Sequence, residues 1–129
     1  MSLHRFWWGL GVVLVLAAIV VCLMPGNELP SAFELNDKIS HMVGHGVLAL
    51  YFAGLVQRRS WWKIFLFLLV MGSLIEYAQY AMQWGRDGDP RDVVANSLGA
   101  GLGLTLGWLG LARWPEFGSW LLGCLRLSP

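Results

Sequence analysis

The stretch from Glu76 to Asn96, EYAQYAMQWGRDGDPRDVVAN, carries charged and amide side chains out of one apolar run and into the next. Glu76 and Gln79 lie inside the apolar run 63–82, and Asn96 lies inside the run that begins after Asp92. A carboxyl group at membrane depth costs about 2 kcal/mol or more, so its presence there indicates a functional site. We therefore interpret the rest of the chain as a small membrane-embedded body built around these groups.

The composition of the 129-residue chain is that of an integral membrane protein. Hydrophobic residues make up 57% of it and charged residues only 13%, whereas an ordinary soluble domain carries about 25% charged residues. A chain of this length cannot bury so much apolar surface in water, but a bilayer can cover it. We predict an all-α fold with a single domain over residues 1–129. The formal net charge of +1 and the scattered Lys and Arg residues indicate no nucleic-acid partner.

The apolar runs predict a bundle of four transmembrane helices, at about residues 6–24, 38–57, 61–84 and 92–111. The second helix reaches spanning length only if the residues from Asp37 form its first turns. The first run is too long for the apolar region of a signal peptide, so we expect it to remain uncleaved. The short C-terminal segment cannot cross a bilayer and is a candidate for the membrane interface.

The Lys and Arg residues in the loops predict the orientation, because cytoplasmic loops carry the excess of these residues. Six lie on one side of the predicted helices and three on the other. The six are Arg5, Arg58, Arg59, Lys63, Arg113 and Arg126, and the three are Lys38, Arg86 and Arg91. We therefore expect a multi-pass protein of the cell membrane with both termini in the cytoplasm.

Polar residues recur at helical spacing at one end of three predicted helices, which is the outer end in this orientation. Residues three or four apart on a helix share one face. The spacing relates Asp37 to His41, Glu76 to Gln79, and Asp92 to Asn96. The three faces predict one shared polar cluster.

We assign the residues of this cluster to two roles. Carboxylates and imidazoles suit general acid–base catalysis, which we assign to His41, Glu76 and Asp92. Cationic side chains and the N-terminus of a helix suit an anionic head group. Substrate binding is assigned to Asp37, Lys38, Gln79, Arg86 and Asn96.

Each assignment has a structural alternative. In the structural alternative for Glu76, the carboxylate pairs with Arg86 or a histidine, and this pairing serves only to satisfy its own buried charge. Asp92 would cap the fourth helix, and Asn96 would form a hydrogen bond between helices. We assign no metal ligand and no cofactor. Metal binding nevertheless stays open for four residues of suitable type, Asp37, His41, His45 and Glu76.

A ridge of small residues follows on the fourth helix, where Gly99, Gly103 and Gly107 recur at intervals of four. Such a ridge permits close helix–helix contact. One interpretation is a homodimer interface. The other is packing within the chain against the small residues of the second helix, which are Gly46, Ala49, Ala53 and Gly54.

Four short motifs in this order resemble the VanZ-like membrane protein family over residues 37–107. They are Asp37-Lys38-x-x-His41, Glu76-x-x-Gln79, Arg86, and Asp92-x-x-x-Asn96-x-x-Gly99-x-x-x-Gly103. The resemblance implies a small multi-helix membrane protein whose namesake is associated with resistance to the glycopeptide teicoplanin, and it supplies no biochemical activity. His45 departs from the family, in which an aromatic residue is more usual at that position.

These observations lead to a function hypothesis with two alternatives. The leading hypothesis is that the protein binds or processes an anionic, lipid-linked head group, such as a lipid phosphate or a cell-wall intermediate. A non-enzymatic site for a lipid, a glycopeptide or a membrane partner is the second. In the third, the polar groups serve only to pack the helices together.

Overall fold

The computed structural model of the chain describes residues 3–25, 37–85 and 88–126, and these residues are helical apart from the connections between the helices. The helices are α1 (Leu3–Leu23), α2 (Asp37–Ala53), α3 (Trp61–Met82), α4 (Pro90–Trp108) and α5 (Trp114–Arg126). Short 3-10 turns at Arg58–Ser60 and Leu111–Arg113 precede α3 and α5. The all-α prediction is confirmed for the described residues, and the bounds of α1 and α3 agree with the prediction to within three residues.

Helix α4 begins at Pro90, two residues before the predicted start, because Asp89 caps it. The Asp89 side chain accepts a hydrogen bond from the backbone N–H of Arg91 at 2.8 Å. Proline suits the first helical position because its φ is already fixed there. The helix ends at Trp108, short of the predicted residue 111, and Gly110 turns the chain with a φ of 115°. That φ lies in the left-handed region that favours glycine.

Helix α2 also ends earlier than predicted, at Ala53 rather than near residue 57. Gly54, which follows it, lies against the indole of Trp114 and the carbonyl of Ala112 so closely that a side chain would not fit. The chain leaves the helix at this contact and turns towards α3.

Helices α2 and α4 run parallel and pack backbone against backbone. Gly99 of α4 lies against the carbonyl of Met42 in α2, and Gly103 lies against the carbonyl of Gly46. The absence of a side chain is what permits so close an approach. The packing interpretation of the glycine ridge is therefore confirmed within the chain. A homodimer through Gly99 and Gly103 would have to displace α2 from them.

Helix α3 runs antiparallel to α2 and α4, and α1 lies on the outside of these three. Of the 21 residues of α1, only Gly11 is buried. A hydrogen bond ties the end of α1 to α3, because the Gln79 side chain donates to the carbonyl of Cys22 at 2.7 Å.

An aromatic cluster holds the other end of α1. The Tyr51 hydroxyl donates to the carbonyl of Trp7 at 2.7 Å. The ring of Trp114, the first residue of α5, stacks on Tyr51 and meets Trp7 edge-on, with ring centroids 4.8 and 5.1 Å apart. The starts of α1 and α5 therefore lie at the same end of the molecule.

Polar and apolar side chains are distributed as in a membrane protein. Large apolar side chains face outward on α1 to α4, where Leu16, Val47, Leu74 and Leu98 are each more than half exposed. The buried polar or charged side chains among the described residues are His41, His45, Glu76, Gln79, Asp92 and Asn96. In water this arrangement would be unfavourable on both counts, because it exposes apolar area and desolvates polar groups.

Two helical segments, Leu3–Leu23 and Arg58–Met82, are long and apolar enough to cross a membrane. Pro90–Trp108 and Leu111–Trp120 meet the same criteria only as a pair, which is bent by 74°. Helix α2 has 17 residues and is about 25 Å long, which is short for a hydrocarbon core of about 30 Å. Among the described residues, two or three helices thus have spanning length and hydropathy, where four spans were predicted.

The close packing of α2 and α4 predicts opposite effects for two neighbouring glycines of α4. In Gly103→Ala the new methyl group would meet the carbonyl of Gly46, which is backbone and cannot rotate away. We expect the free energy of unfolding in detergent to fall by about 1–3 kcal/mol. Gly101→Ala, where a methyl group meets nothing within 4 Å, should raise it by about 0.5–1 kcal/mol. Circular dichroism during denaturation measures both, and equal effects would contradict the backbone contact.

Candidate functional site

The candidate site lies where α1 and α3 end and α2 and α4 begin. Lys38 and His41 come from the first turns of α2, and Glu76 comes from the last two turns of α3. Asp92 and Asn96 come from the first two turns of α4. The structure brings these five side chains together as the spacing predicted, whereas their catalytic and binding roles remain predictions.

Lys38 forms the rim of the site. Its ammonium lies 2.8 Å from Oδ2 of Asp89 and 2.8 Å from Oδ1 of Asp92. The Lys38 side chain is 46% exposed, whereas that of Asp92 is only 3% exposed. Because Lys38 and the backbone N–H of Arg91 donate to it, the pKa of the Asp89 carboxyl lies below its usual range. The rim therefore presents a charged pair to the solvent and screens a buried carboxylate behind it.

His41 lies at the centre of the buried part. Its Nδ1 is 3.1 Å from Oδ1 of Asn96 and 3.6 Å from Oε1 of Glu76. One ligand-type atom from each of His41, Glu76 and Asp92 lies within 4.8 Å of the other two, and all three residues are buried. These three side chains, which we call the His41–Glu76–Asp92 cluster, come from three different helices.

The turn before α4 orients Glu76. The backbone N–H of Asp89 donates to Oε2 of Glu76 at 3.2 Å, which leaves Oε1 facing His41. Gly88 permits this contact, because a side chain there would meet the carbonyl of Glu76 and the backbone of Tyr80. The turn thus fixes the carboxylate at the end of α3 to the cap of α4.

Two buried nitrogens beside the cluster have no hydrogen-bond partner among the described residues, Nδ2 of Asn96 and Nε2 of His45. Both lie next to Gly72 of α3, at 2.7 and 3.1 Å from where a methyl group would be. The Nδ1 of His45 is 3.1 Å from the carbonyl of His41. His45 therefore supports the backbone of α2 and does not join His41, Glu76 and Asp92.

The remaining predicted site residues have other positions. Gln79 binds α1 through the carbonyl of Cys22, so its amide connects helices. Asp37 is the first residue of α2. Arg86 lies outside the described residues, so its predicted contact with a head group or with Glu76 stays a prediction.

The sequence assignment missed Asp89 as a residue of this site. The alternative role assigned to Asp92, capping α4, belongs to Asp89, whose side chain bonds to the N–H of Arg91. The signal was present, because an Asp immediately before a Pro is typical of a helix N-terminus. Because Asp89 caps the helix, the Asp92 side chain does not, and it lies in the site, where it forms an ion pair with Lys38.

This arrangement suits proton transfer and cation binding. An imidazole beside a carboxylate can exchange a proton with a bound group, and His41 and Glu76 are placed in this way. Two buried carboxylates and an imidazole are also residue types that bind a metal ion.

Comparison with known proteins identifies the family. The family model described as VanZ/LLP1 matches residues 12–112, which is more than half of the chain. The chain belongs to the VanZ/LLP1 family. This match confirms the resemblance found from the motifs. No curated protein and no solved structure gives a significant match to the chain.

The part that matches the VanZ/LLP1 model includes the whole of α2, α3 and α4. It therefore contains the His41–Glu76–Asp92 cluster, the rim and the glycine contacts that position them. Helix α5 lies beyond residue 112 and outside the matched part.

The contact between Lys38 and buried Asp92 predicts a loss of stability in Lys38→Met. This change leaves the buried Asp92 carboxylate without its ammonium partner, and we therefore expect the free energy of unfolding to fall. Lys63→Met is the matched control, since Lys63 is an exposed lysine of α3 and its loss should change stability little. Denaturation in detergent measures both variants.

A double variant measures the interaction between Lys38 and Asp92 apart from other effects of the two single substitutions. In Lys38→Met with Asp92→Asn, the neutral amide no longer needs the ammonium, so the combined loss should be smaller than the sum of the single losses. Strict additivity would show that the two residues do not stabilise each other.

Proposed function

We propose that this VanZ/LLP1 protein is a multi-pass membrane protein that binds an anionic, lipid-linked head group and exchanges a proton with it. The observation that carries the proposal is the burial of His41, Glu76 and Asp92 side by side at one end of apolar helices. Intramembrane ionisable groups are costly, and this cost favours a function for them. His41 and Glu76 would transfer the proton, and Asp92, which Lys38 holds in place, would orient them.

The rim supports recognition of an anion. An anionic group would approach Lys38 from its exposed side, where Asp89 is the more exposed of the two carboxylates that Lys38 binds. Arg91 is exposed on the first turn of α4, and the start of that helix adds the positive end of its dipole. The resemblance to a family linked with teicoplanin makes lipid-linked cell-wall intermediates the first compounds to examine, and lipid phosphates the simplest models of them.

We further propose that all four helices from α1 to α4 cross the cell membrane, with the site at the outer face. The hydrogen bond between Gln79 and Cys22 supports this proposal, because it places the end of α1 beside the end of α3. A helix of 17 residues such as α2 can span if the bilayer thins locally around it. The bent connection between α4 and α5 suits a final helix that lies in the interface.

Reporter fusions test this topology. A periplasmic alkaline phosphatase fused after Trp84 should be active, since the turn between α3 and α4 lies at the proposed outer face. The same reporter fused after Arg59, between α2 and α3, should be inactive, because that turn lies in the cytoplasm. Activity of both fusions, or of neither, would contradict a spanning α3.

A second function has its own support. The polar groups also bond to one another between helices, as His41 does with Asn96 and Lys38 with Asp92. This network would lock the helices together without any ligand. On this view the site is a packing device or a docking point for a membrane partner, and it performs no turnover.

Reconstituted protein distinguishes these functions. We expect hydrolysis or transfer on a lipid phosphate or lipid diphosphate to fall at least about 100-fold in Glu76→Gln and His41→Ala, because each removes a proton-transfer group. Ser73→Ala is the matched control on α3, since the Ser73 hydroxyl bonds only to the carbonyl of Leu69 in its own helix. The assay measures product against protein concentration in vesicles.

Other results of the same assay would favour the binding hypothesis or the packing hypothesis over catalysis. Saturable protection of the wild type against thermal unfolding by the lipid, without product, would favour binding alone. Loss of thermal stability in Glu76→Gln, with no lipid response in the wild type, would leave only the packing role. Full activity in both variants at normal expression would remove the catalytic assignment.

A further inference from the structure

We propose that His41, Glu76 and Asp92 bind one divalent first-row transition-metal ion of the zinc class. This inference goes beyond the head-group proposal and does not rest on it, because the ion alone is the ligand. It also differs from the set left open by the sequence, since Asp92 joins His41 and Glu76 in the group, whereas Asp37 and His45 are not part of it.

The geometry places three ligand atoms around one point. A ring nitrogen of His41 and one carboxylate oxygen each from Glu76 and Asp92 lie within 4.8 Å of one another. Metal bonds to such ligands are about 2.0–2.2 Å long, so a small contraction of the three side chains closes the site. Each ligand comes from a different helix, and binding would therefore connect α2, α3 and α4 at one point.

The carboxylates of Glu76 and Asp92 each accept a hydrogen bond from a residue outside the cluster, and this bond keeps the carboxylate within the cluster. The N–H of Asp89 holds Oε2 of Glu76, and Oε1 faces His41. The ammonium of Lys38 holds Oδ1 of Asp92 from the rim. Outer contacts of this kind orient the ligands of metal sites and are part of their design.

Asn96 supplies a further contact that orients the His41 ring. Its side chain is almost completely buried, with 1% exposed, and its Nδ2 has no partner among the described residues. Its Oδ1 is turned into the cluster, 3.1 Å from Nδ1 of His41. With a proton on Nδ1, His41 donates to this oxygen, and a hydrogen bond of this kind fixes the ring of a metal-binding histidine.

The ligand set indicates the class of metal. Imidazole suits Zn²⁺, Fe²⁺ and related ions, whereas Mg²⁺ and Ca²⁺ prefer sites built from oxygen alone. One nitrogen with two carboxylate oxygens therefore favours a zinc-class ion over Mg²⁺. A divalent ion also balances the formal charge of the two buried carboxylates, which lie close enough to repel each other.

Metal binding by the purified full-length protein tests the proposal. The protein in detergent is treated with a chelator, dialysed, and titrated with Zn²⁺ or with Mg²⁺. We expect one tightly held Zn²⁺ per chain by elemental analysis, a higher unfolding temperature with Zn²⁺, and affinity for Mg²⁺ at least about 100-fold weaker. The rise in unfolding temperature follows because an ion that binds only the folded state stabilises it.

Variants locate the ion. His41→Ala, Glu76→Gln and Asp92→Asn should each weaken Zn²⁺ binding at least about tenfold. His4→Ala and Glu116→Gln are the controls, because both remove exposed metal-binding side chains away from the cluster, and they should bind as the wild type does. For any cluster variant that fails to fold, the visible spectrum of Co²⁺ in the wild-type protein supplies the second measurement, since it reports nitrogen and oxygen ligation directly.

Three results would overturn the metal site. One is a wild-type protein that retains no Zn²⁺ and shows no shift in unfolding temperature. Another is Zn²⁺ binding that survives in folded cluster variants and is lost in His4→Ala or Glu116→Gln. The last is equal affinity for Zn²⁺ and Mg²⁺. None of these results bears on the head-group proposal, whose own test is product formation or lipid protection.

Discussion

The backbone contact between α2 and α4 is the constraint on which the rest of the structure depends. Gly99 meets the carbonyl of Met42, and Gly103 meets that of Gly46, so two parallel helices are fixed in one alignment. A helix shifted by one residue would present a side chain where only a hydrogen atom fits. Just before the first of these contacts on each helix, the same alignment sets His41 against Asn96. The glycines therefore determine which polar groups meet, although they lie outside the site.

The buried polar groups, taken with the apolar exterior, give this small bundle the character of a membrane protein. The usual apolar core occupies the half of the bundle around Leu68 and Ala49, both with no exposed area. The other half holds two histidines, two carboxylates and two amides. A helical bundle with an apolar exterior and a polar interior suits an apolar solvent, in which the polar groups bond to one another. The apolar surface and the polar site thus have the same origin, which is that apolar side chains face outward and polar side chains face inward on these helices.

Much of this arrangement could be predicted from the sequence. Hydropathy located the first four helices, because long apolar runs carry a strong signal, and spacing brought His41, Glu76 and Asn96 to one end. The role of Asp89 could not be read in the same way, because its N–H reaches Glu76 across thirteen residues of chain. Turn geometry decides such a contact, and helical periodicity does not apply in a turn. The end of α2 was also not readable from hydropathy, since α2 stops before Gly54, where Trp114 packs against the chain.

The aromatic cluster at the opposite end has a consequence for the order of assembly. Trp114 contributes a ring to Trp7 and to Tyr51, and it follows α1 to α4 in the chain. Helix α1 can bond to α2 through the Tyr51 hydroxyl and to α3 through the Gln79 amide before Trp114 is synthesised. The packing around the start of α1 is completed only when α5 begins, so it is finished later than the hydrogen bond at the end of α1.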